Sequence, residues 1–196
     1  GQPTNAIYGF IKMLTKMQAR LQPTHLMIIW DGGLAEERMT LLPEYKAQRA
    51  EMPSGLEQQL DEIMAYLRAS GVTSYCQDGV EADDFIATVA KKAAAENLPV
   101  GIASADKDFM QLVESKVSLF NPNDKSETLW SDVQVRDKTG VEPSQIVDWL
   151  SLIGDSVDNI PGVVGVGPKT ATDLLQRFGS LEEIYRRLDE IKSEKL

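Results

Sequence analysis

The chain has few of the residues on which several kinds of chemistry depend. It has a single cysteine, Cys76, and a single histidine, His25, so no Cys/His cluster can hold zinc. Cys76 lies in the apolar-rich run V-T-S-Y-C-Q, where a small buried hydrophobe in a reducing compartment is the expectation. His25 precedes a strand and is assigned no chemistry. No apolar run reaches the roughly 18 residues of a membrane span, and no signal-peptide pattern opens the chain. There is no Ser/His/Asp or Cys/His arrangement for nucleophilic catalysis, and no repeat or low-complexity tract. Bases are also scarce: 20 Lys and Arg against 30 Asp and Glu leave a net charge of −10. A nucleic-acid binder normally carries a basic footprint. That exclusion lapses where acids gather around metal ions, because bound cations invert the local field. Where the acids lie therefore matters more than how many there are.

With 196 residues, 42% hydrophobic and 26% charged, the chain can bury a substantial core as one large domain or a domain with a smaller companion. Residues 4–21 read as a helix capped by Thr4, with Ile7, Phe10, Ile11, Leu14 and Leu21 at near-helical spacing. H-L-M-I-I-W, residues 25–30, reads as a strand buried on both faces. The polar segment from Gly32 to Pro53 shows no buried face, and connectors of that length are usually functional or disordered. A helix follows over 55–69, a strand over 72–77, a helix over 81–95 and a strand over 99–104. A short helix then runs through Phe109, Leu112 and Val113, and K-V-S-L-F is a fourth strand. From about Ser131 only helices are expected, at 131–139, 143–153, 168–178 and 180–190. This alternation predicts a parallel-sheet α/β core over 1–130 and a helical subdomain over 131–196.

In an open parallel sheet, ligands collect beyond the carboxyl ends of the strands. Asp31 follows the first strand, Glu81, Asp83 and Asp84 the second, Asp106 and Asp108 the third, and Asp155 and Asp158 sit in G-D-S-V-D-N at the start of the helical region. Each cluster alone reads as capping or turn residues. Four clusters obeying one topological rule point to a shared acidic cleft, where unneutralised carboxylates would raise one another's pKa. Hard divalent cations with oxygen ligands, Mg²⁺ or Mn²⁺, resolve that repulsion.

Two further patterns concern phosphate. In P-G-V-V-G-V-G-P-K-T-A, Gly162, Gly165 and Gly167 permit a tight backbone, and Lys169 and Thr170 lie in the helix turn opened by Pro168. Exposed N–H groups there form an anion site, although an ordinary helix-to-helix turn reads the same way. The loop lacks G-K-[ST] and is no nucleotide P-loop. In P-E-Y-K-A-Q-R, Lys46 and Arg49 share a face if the segment is helical; a solvated charge face is the default reading, and beside an acidic metal cleft a mobile basic element could steer and clamp a phosphate backbone.

These stretches, together with P-T-N-A-I-Y-G-F, Y-K-A-Q-R-A-E-M-P and A-D-K-D-F-M-Q-L, run in the order found in the 5′-nuclease domain of the bacterial DNA polymerase I family, and the chain closely resembles that domain and its flap-endonuclease relatives. The resemblance implies a PIN-like (resolvase-like) core with a helical arch at about 32–54, and a helix-hairpin-helix type subdomain gripping duplex DNA. It implies that Asp31, Glu81, Asp83, Asp84, Asp106, Asp108, Asp155 and Asp158 hold two divalent metals. Tyr45, Lys46 and Arg49 would lie at the DNA in the arch. The Gly162–Gly167 loop with Lys169 and Thr170 would hold the duplex backbone and bind a K⁺ ion through its carbonyls. The implied activity is two-metal hydrolysis of DNA with a free 5′ end, flaps included, yielding a 5′-phosphate and a 3′-hydroxyl in the replication and repair of a bacterial nucleoid, with no membrane involved. The family begins with a strand bearing a further aspartate, whereas this chain starts at G-Q-P-T-N and stops at K-S-E-K-L, so a fragment of a longer protein with a downstream polymerase region is expected. Two rivals remain: a non-catalytic, structure-selective DNA-binding module, and a small-molecule phosphatase using Asp31 as nucleophile, which Gly33 disfavours because such enzymes carry a second acid there.

Overall fold

The computed structural model describes residues 3–191, so Gly1, Gln2 and the whole of the closing K-S-E-K-L lie outside the description. Two compact units emerge. One holds the chain up to Leu41 together with Arg49–Ile86, and the other holds Leu42–Gln48 and the chain from Ala87 onward.

The first unit is built on α1 (Asn5–Leu21) and α3 (Leu56–Ala69), which pack together. Their apolar residues recur every three or four positions, so Leu14 and Met17 on one helix and Ile63 and Leu67 on the other are buried together. Thr4 occupies the cap position of α1 but makes no side-chain capping bond. The helix start is instead tied to α3 by the buried Gln59, whose Oε1 accepts from the Ala6 N–H at 2.8 Å. Between these helices in sequence lie β1 (Met27–Trp30) and α2 (Glu36–Leu41), and β2 (Thr73–Cys76) follows α3. β1 pairs with β2 in parallel, Met27 opposite Thr73 through Trp30 opposite Cys76.

Two expectations fail here. No residue of β1 is buried, and Met27 is 44% exposed, because β2 is the one strand hydrogen-bonded to it among the described residues. Cys76 is exposed rather than buried. It ends its strand, and its thiol faces the Asp31 carbonyl oxygen at 3.5 Å.

α4 (Ala82–Ala95) begins in the first unit and continues in the second. In the second unit β3 (Val100–Ala103) pairs in parallel with β4 (Val117–Phe120), and β4 pairs antiparallel with the two-residue β5 (Leu129–Trp130). The strands therefore form two sheets, in orders β1-β2 and β3-β4-β5, where alternation predicted parallel strands throughout. A 3₁₀ helix, Lys107–Leu112, buries Phe109, Met110 and Leu112 between β3 and β4 in sequence.

The helical part comprises α5 (Asp132–Thr139), a 3₁₀ turn at Pro143–Gln145, α6 (Ile146–Ile153), α7 (Pro168–Phe178), α8 (Leu181–Arg186) and a last 3₁₀ turn at Leu188–Glu190. Its boundaries follow from local chemistry. Ser131 and Gln134 form a reciprocal capping box on α5, and Pro168 opens α7. Val135, Ile146, Ala171 and Leu175 are fully buried where these helices meet. Thr172 ties them together: its Oγ1 donates to the Thr139 carbonyl at 2.6 Å and accepts from Trp149 Nε1 at 3.0 Å.

Candidate functional site

In the first unit the exit from β1 is fixed by backbone contacts. Gly32 N–H donates to Val80 O at 3.1 Å and Gly79 N–H donates to Gly32 O at 2.8 Å. A Cβ on Gly32 would lie 1.8 Å from the Gln77 carbonyl oxygen, so this close approach admits no side chain. Asp31 is thereby held at the strand end. It is exposed, and its Oδ1 accepts from the Gly33 N–H at 2.8 Å.

Glu81 directly precedes α4 and is 1% exposed, while Asp83 and Asp84 in the first turn face solvent. Arg38, on α2, reaches both levels of this acid group: its guanidinium lies 2.7 Å from Glu81 Oε1 and 2.7 Å from Asp84 Oδ1. Partial burial works against the Arg38 charge, but the two carboxylate bonds outweigh it and its pKa is raised. The positive group at this helix mouth is thus an arginine that the sequence pattern left unassigned, inside the polar stretch where no buried face could be read.

In the second unit Asp106 follows β3 and caps the 3₁₀ helix, its Oδ1 accepting from the Asp108 N–H at 2.9 Å. Asp108 is half-buried, and its Oδ1 is shielded from solvent with no hydrogen-bond partner among the described residues. Burial first, and then the charges of Asp106 and Asp155, push its carboxyl up to about 6. Asp155 goes the other way. Burial raises it, but the Val157 N–H at 2.8 Å and the Lys107 ammonium at 3.2 Å hold it below the ordinary carboxylate range. Lys107, between the two aspartates of A-D-K-D, is a second cation the pattern did not single out.

Asp158 receives the 42–48 segment. Lys46 Nζ lies 3.8 Å from its Oδ2 and Tyr45 OH 3.5 Å from the same oxygen, while the Lys46 N–H donates to the Asp158 carbonyl at 3.0 Å. Asn159 Nδ2 donates to Glu44 O at 2.9 Å. Residues 43–48 form turns rather than a helix, with Lys46 at φ 55° and Tyr45 and Lys46 buried. The helical face expected to carry Lys46 and Arg49 together does not form, because docking on the Asp155–Ile160 loop dictates the backbone. Arg49 is exposed and belongs to the first unit.

The glycine loop is partly explained by packing. Gly154 has φ 72°, and a Cβ there would lie 2.3 Å from Gly162 N; a Cβ on Gly162 would lie 2.4 Å from the Ile153 carbonyl. Those two glycines let the end of α6 touch the loop. Gly165 sits at φ 84° in the exposed turn, and Gly167 precedes Pro168 at the start of α7. Lys169 is exposed and Thr170 half-buried in that first turn.

Among the described residues no three carboxylates converge to hold one metal ion. Arg38, Lys107 and Lys46 partner Glu81, Asp155 and Asp158. The donor set nevertheless fits a hard cation, since every candidate ligand is a carboxylate and Asp108 presents a buried, unpartnered oxygen.

The family described as 5′-3′ exonuclease, N-terminal resolvase-like domain, matches residues 1–140, and 5′-3′ exonuclease, C-terminal SAM fold, matches residues 141–196. The chain is 39% identical over 194 residues to a 5′-3′ exonuclease of Aquifex aeolicus, covering 99% of this chain and 66% of that protein. It is 40% identical over 202 residues to DNA polymerase I of Bacillus caldotenax, covering 100% of this chain and 23% of that one. Its structure is similar to that of the T5 D15 protein co-crystallised with metal ions, with a TM-score of 0.78 at 25% identity over 96% of this chain and 74% of that one. The fold alone is shared with the catalytic core of Rad2 in complex with DNA substrate, at a TM-score of 0.60, 20% identity, and 96% and 60% coverage. The architecture is accordingly a resolvase-like α/β domain followed by a helical SAM-fold domain. No described helix is long and apolar enough to cross a membrane.

Proposed function

The chain belongs to the 5′-3′ exonuclease family, and on that premise we propose that it hydrolyses phosphodiester bonds in DNA carrying a free 5′ end, flaps included, as in primer removal in a bacterial cytoplasm. The observation that carries this reading is Asp108. A carboxylate pressed by burial and by Asp106 and Asp155, with a shielded oxygen unpartnered, is strained alone and relieved by a bound cation. Carboxylates of both units supply the ligands: Asp31, Glu81, Asp83 and Asp84 in one, and Asp106, Asp108, Asp155 and Asp158 in the other, for two Mg²⁺ or Mn²⁺ ions in all. When bound, such ions supply an acidified water and offset charge on the leaving 3′ oxygen.

The chain's own side chains do the rest. Lys46 and Arg49 balance charge that develops on the scissile phosphate, and Tyr45 packs beside Lys46, whose Nζ lies 4.8 Å from its ring centroid. To reach phosphate, Lys46 must leave Asp158, which frees that carboxylate as the lysine departs. The Gly162–Gly167 turn, with Lys169 and Thr170 at the start of α7, holds the duplex backbone by exposed N–H groups and charge, and K⁺ at its carbonyls belongs to the same proposal.

The test is cleavage of a 5′-flap DNA in Mg²⁺ and in EDTA, by the chain and by Asp106→Ala. Metal-dependent cleavage lost in the variant, with 5′-phosphate products, is expected. A flap bound but uncut in Mg²⁺ would replace the nuclease by a binding module.

A further inference from the structure

A cleft of about 540 Å³ lies wholly within the second unit, and none of the candidate metal ligands lines it. Its volume falls in the range of small-ligand sites, about 300–1,000 Å³. It is lined by the last turn of α4, the chain from Gln111 to Lys116, and Ser144 ahead of α6. Its place in the fold is opposite to the acids. The Lys116 carbonyl, just before β4, accepts from the Val100 N–H at the start of β3 at 2.7 Å, so the cleft sits at the amino end of this parallel pair. Asp106 follows the carboxyl end of β3, about 13 Å away along the strands.

The polar groups at the cleft are uncommitted. Among the described residues neither Lys91 nor the half-buried Lys116 makes an ion pair, and the hydroxyls of Ser115 and Ser144 make no hydrogen bond. The arginines of this unit, with Lys46 and Lys107, are all held by carboxylates. One turn either side of Lys91, α4 carries Ala87, Thr88, Ala94 and Ala95, so the helix supplies it no acid. Glu114 also lines the cleft but pairs with neither lysine. Glu114 and Val117 close their turn by donating to each other's carbonyls at 3.1 Å, which leaves the Ser115 and Lys116 N–H groups without a backbone acceptor. Ala94, Leu112 and Val113 add an apolar wall. Lysines beside a crevice are ordinarily just solvated. Here two ammonium groups, two hydroxyls and two turn amides, all able to donate, meet at one cleft.

We propose that this cleft binds a small phosphate monoester of the nucleoside monophosphate class. Lys91, Lys116, Ser115 and Ser144 take the phosphate oxygens, and the sugar and base lie on the apolar wall. A monoester carries close to two negative charges at pH 7, which matches the two ammonium groups; a backbone phosphodiester carries one. Inorganic phosphate would leave the apolar wall uncovered. The site is separate from the carboxylates and independent of the nuclease reading.

The experiment follows amide chemical shifts of the ¹⁵N-labelled chain in EDTA during titration with dTMP, thymidine and inorganic phosphate. dTMP should shift the Ser115, Lys116 and Ser144 amides saturably, and thymidine should leave them in place. Inorganic phosphate should bind at least about tenfold more weakly than dTMP. Each lost charge-assisted bond in this open cleft weakens binding at least about threefold, so Lys91→Gln/Lys116→Gln should raise the dTMP Kd at least about tenfold. Lys91→Gln alone, at an exposed helix position, should raise it about threefold should the double variant fold poorly. Pentathymidylate with and without a 5′-phosphate separates the two sources of the ester. Binding of dTMP alone assigns a free nucleotide, and binding of the phosphorylated strand as well assigns a strand end; either sustains the site. Equal binding of the unphosphorylated strand, equal binding of thymidine and dTMP, no saturable shift at these amides, or an unchanged Kd in the lysine variants would each overturn it. Flap cleavage in Mg²⁺ is scored separately and is expected unchanged in both lysine variants, so failure of the cleft is distinguishable from failure of the nuclease reading.

Discussion

Replacing Asp108 with Asn should stabilise the metal-free protein at neutral pH. The Asp108 carboxyl is raised from 3.8 to about 6, by burial first and by Asp106 and Asp155 next. Between those values the folded chain holds a proton that the unfolded chain has released, so stability falls as pH rises through that window and stays lowered above it. A shift of about two units corresponds to about 3 kcal/mol at most. Because Asp108 is only half-buried, solvent screening reduces this to about 1–2 kcal/mol. Asn is nearly isosteric, carries no charge, and breaks no side-chain bond, since the unpartnered Oδ1 has none to lose. For a chain of this size the gain is a Tm increase of about 3–6 °C. The assay is thermal unfolding in EDTA at a series of pH values from 7.5 downward, where the difference between variant and parent should shrink through pH 6 and vanish below the unfolded carboxylate's range. Adding Mg²⁺ should reverse the order, stabilising the parent and not the variant. A variant less stable than the parent at pH 7.5 in EDTA, or a difference flat across the pH range, would refute the reasoning.

Other consequences follow from the same contacts. Arg38→Ala leaves Glu81 buried without its guanidinium partner, and should cost about 2–3 kcal/mol in urea unfolding; adding Glu81→Gln should restore part of that loss. Gly162→Ala drives a methyl onto the Ile153 carbonyl and should cost about 1–3 kcal/mol, visible as a lower Tm before any DNA is added. Lys46→Met removes the cation proposed for the scissile phosphate, and single-turnover flap cleavage should fall about 100-fold while the fold, read by circular dichroism, persists.

Elements governed by neighbours in sequence could be read from the sequence alone. α1 and α3 announce themselves through apolar spacing, α5 through its Ser131 cap and α7 through Pro168, because each signal acts within a few residues. Features governed by distant partners could not. Lys46 is buried because of Asp158, and the 43–48 backbone follows that docking rather than its own helical spacing. Arg38 lies in a stretch without periodicity, and its role appears only once α2 stands beside Glu81 and Asp84. Cys76 looked apolar by its neighbours, but burial is set by what covers a strand end. β5 is two residues long, below what alternation can reveal. The strand-end rule places Asp31, Glu81 and Asp106 just beyond β1, β2 and β3, but it says nothing of Asp155 and Asp158, which follow α6, or of the pairing of these acids with Arg38, Lys107 and Lys46.

The central claim is that these carboxylates are built to bind divalent cations, and titration with Mn²⁺ followed by electron paramagnetic resonance tests it most directly. The account predicts saturable binding by the chain, weakened at least tenfold by Asp108→Asn and by Asp155→Asn. Binding no tighter than to an unrelated acidic protein, or binding unchanged in both variants, would contradict it.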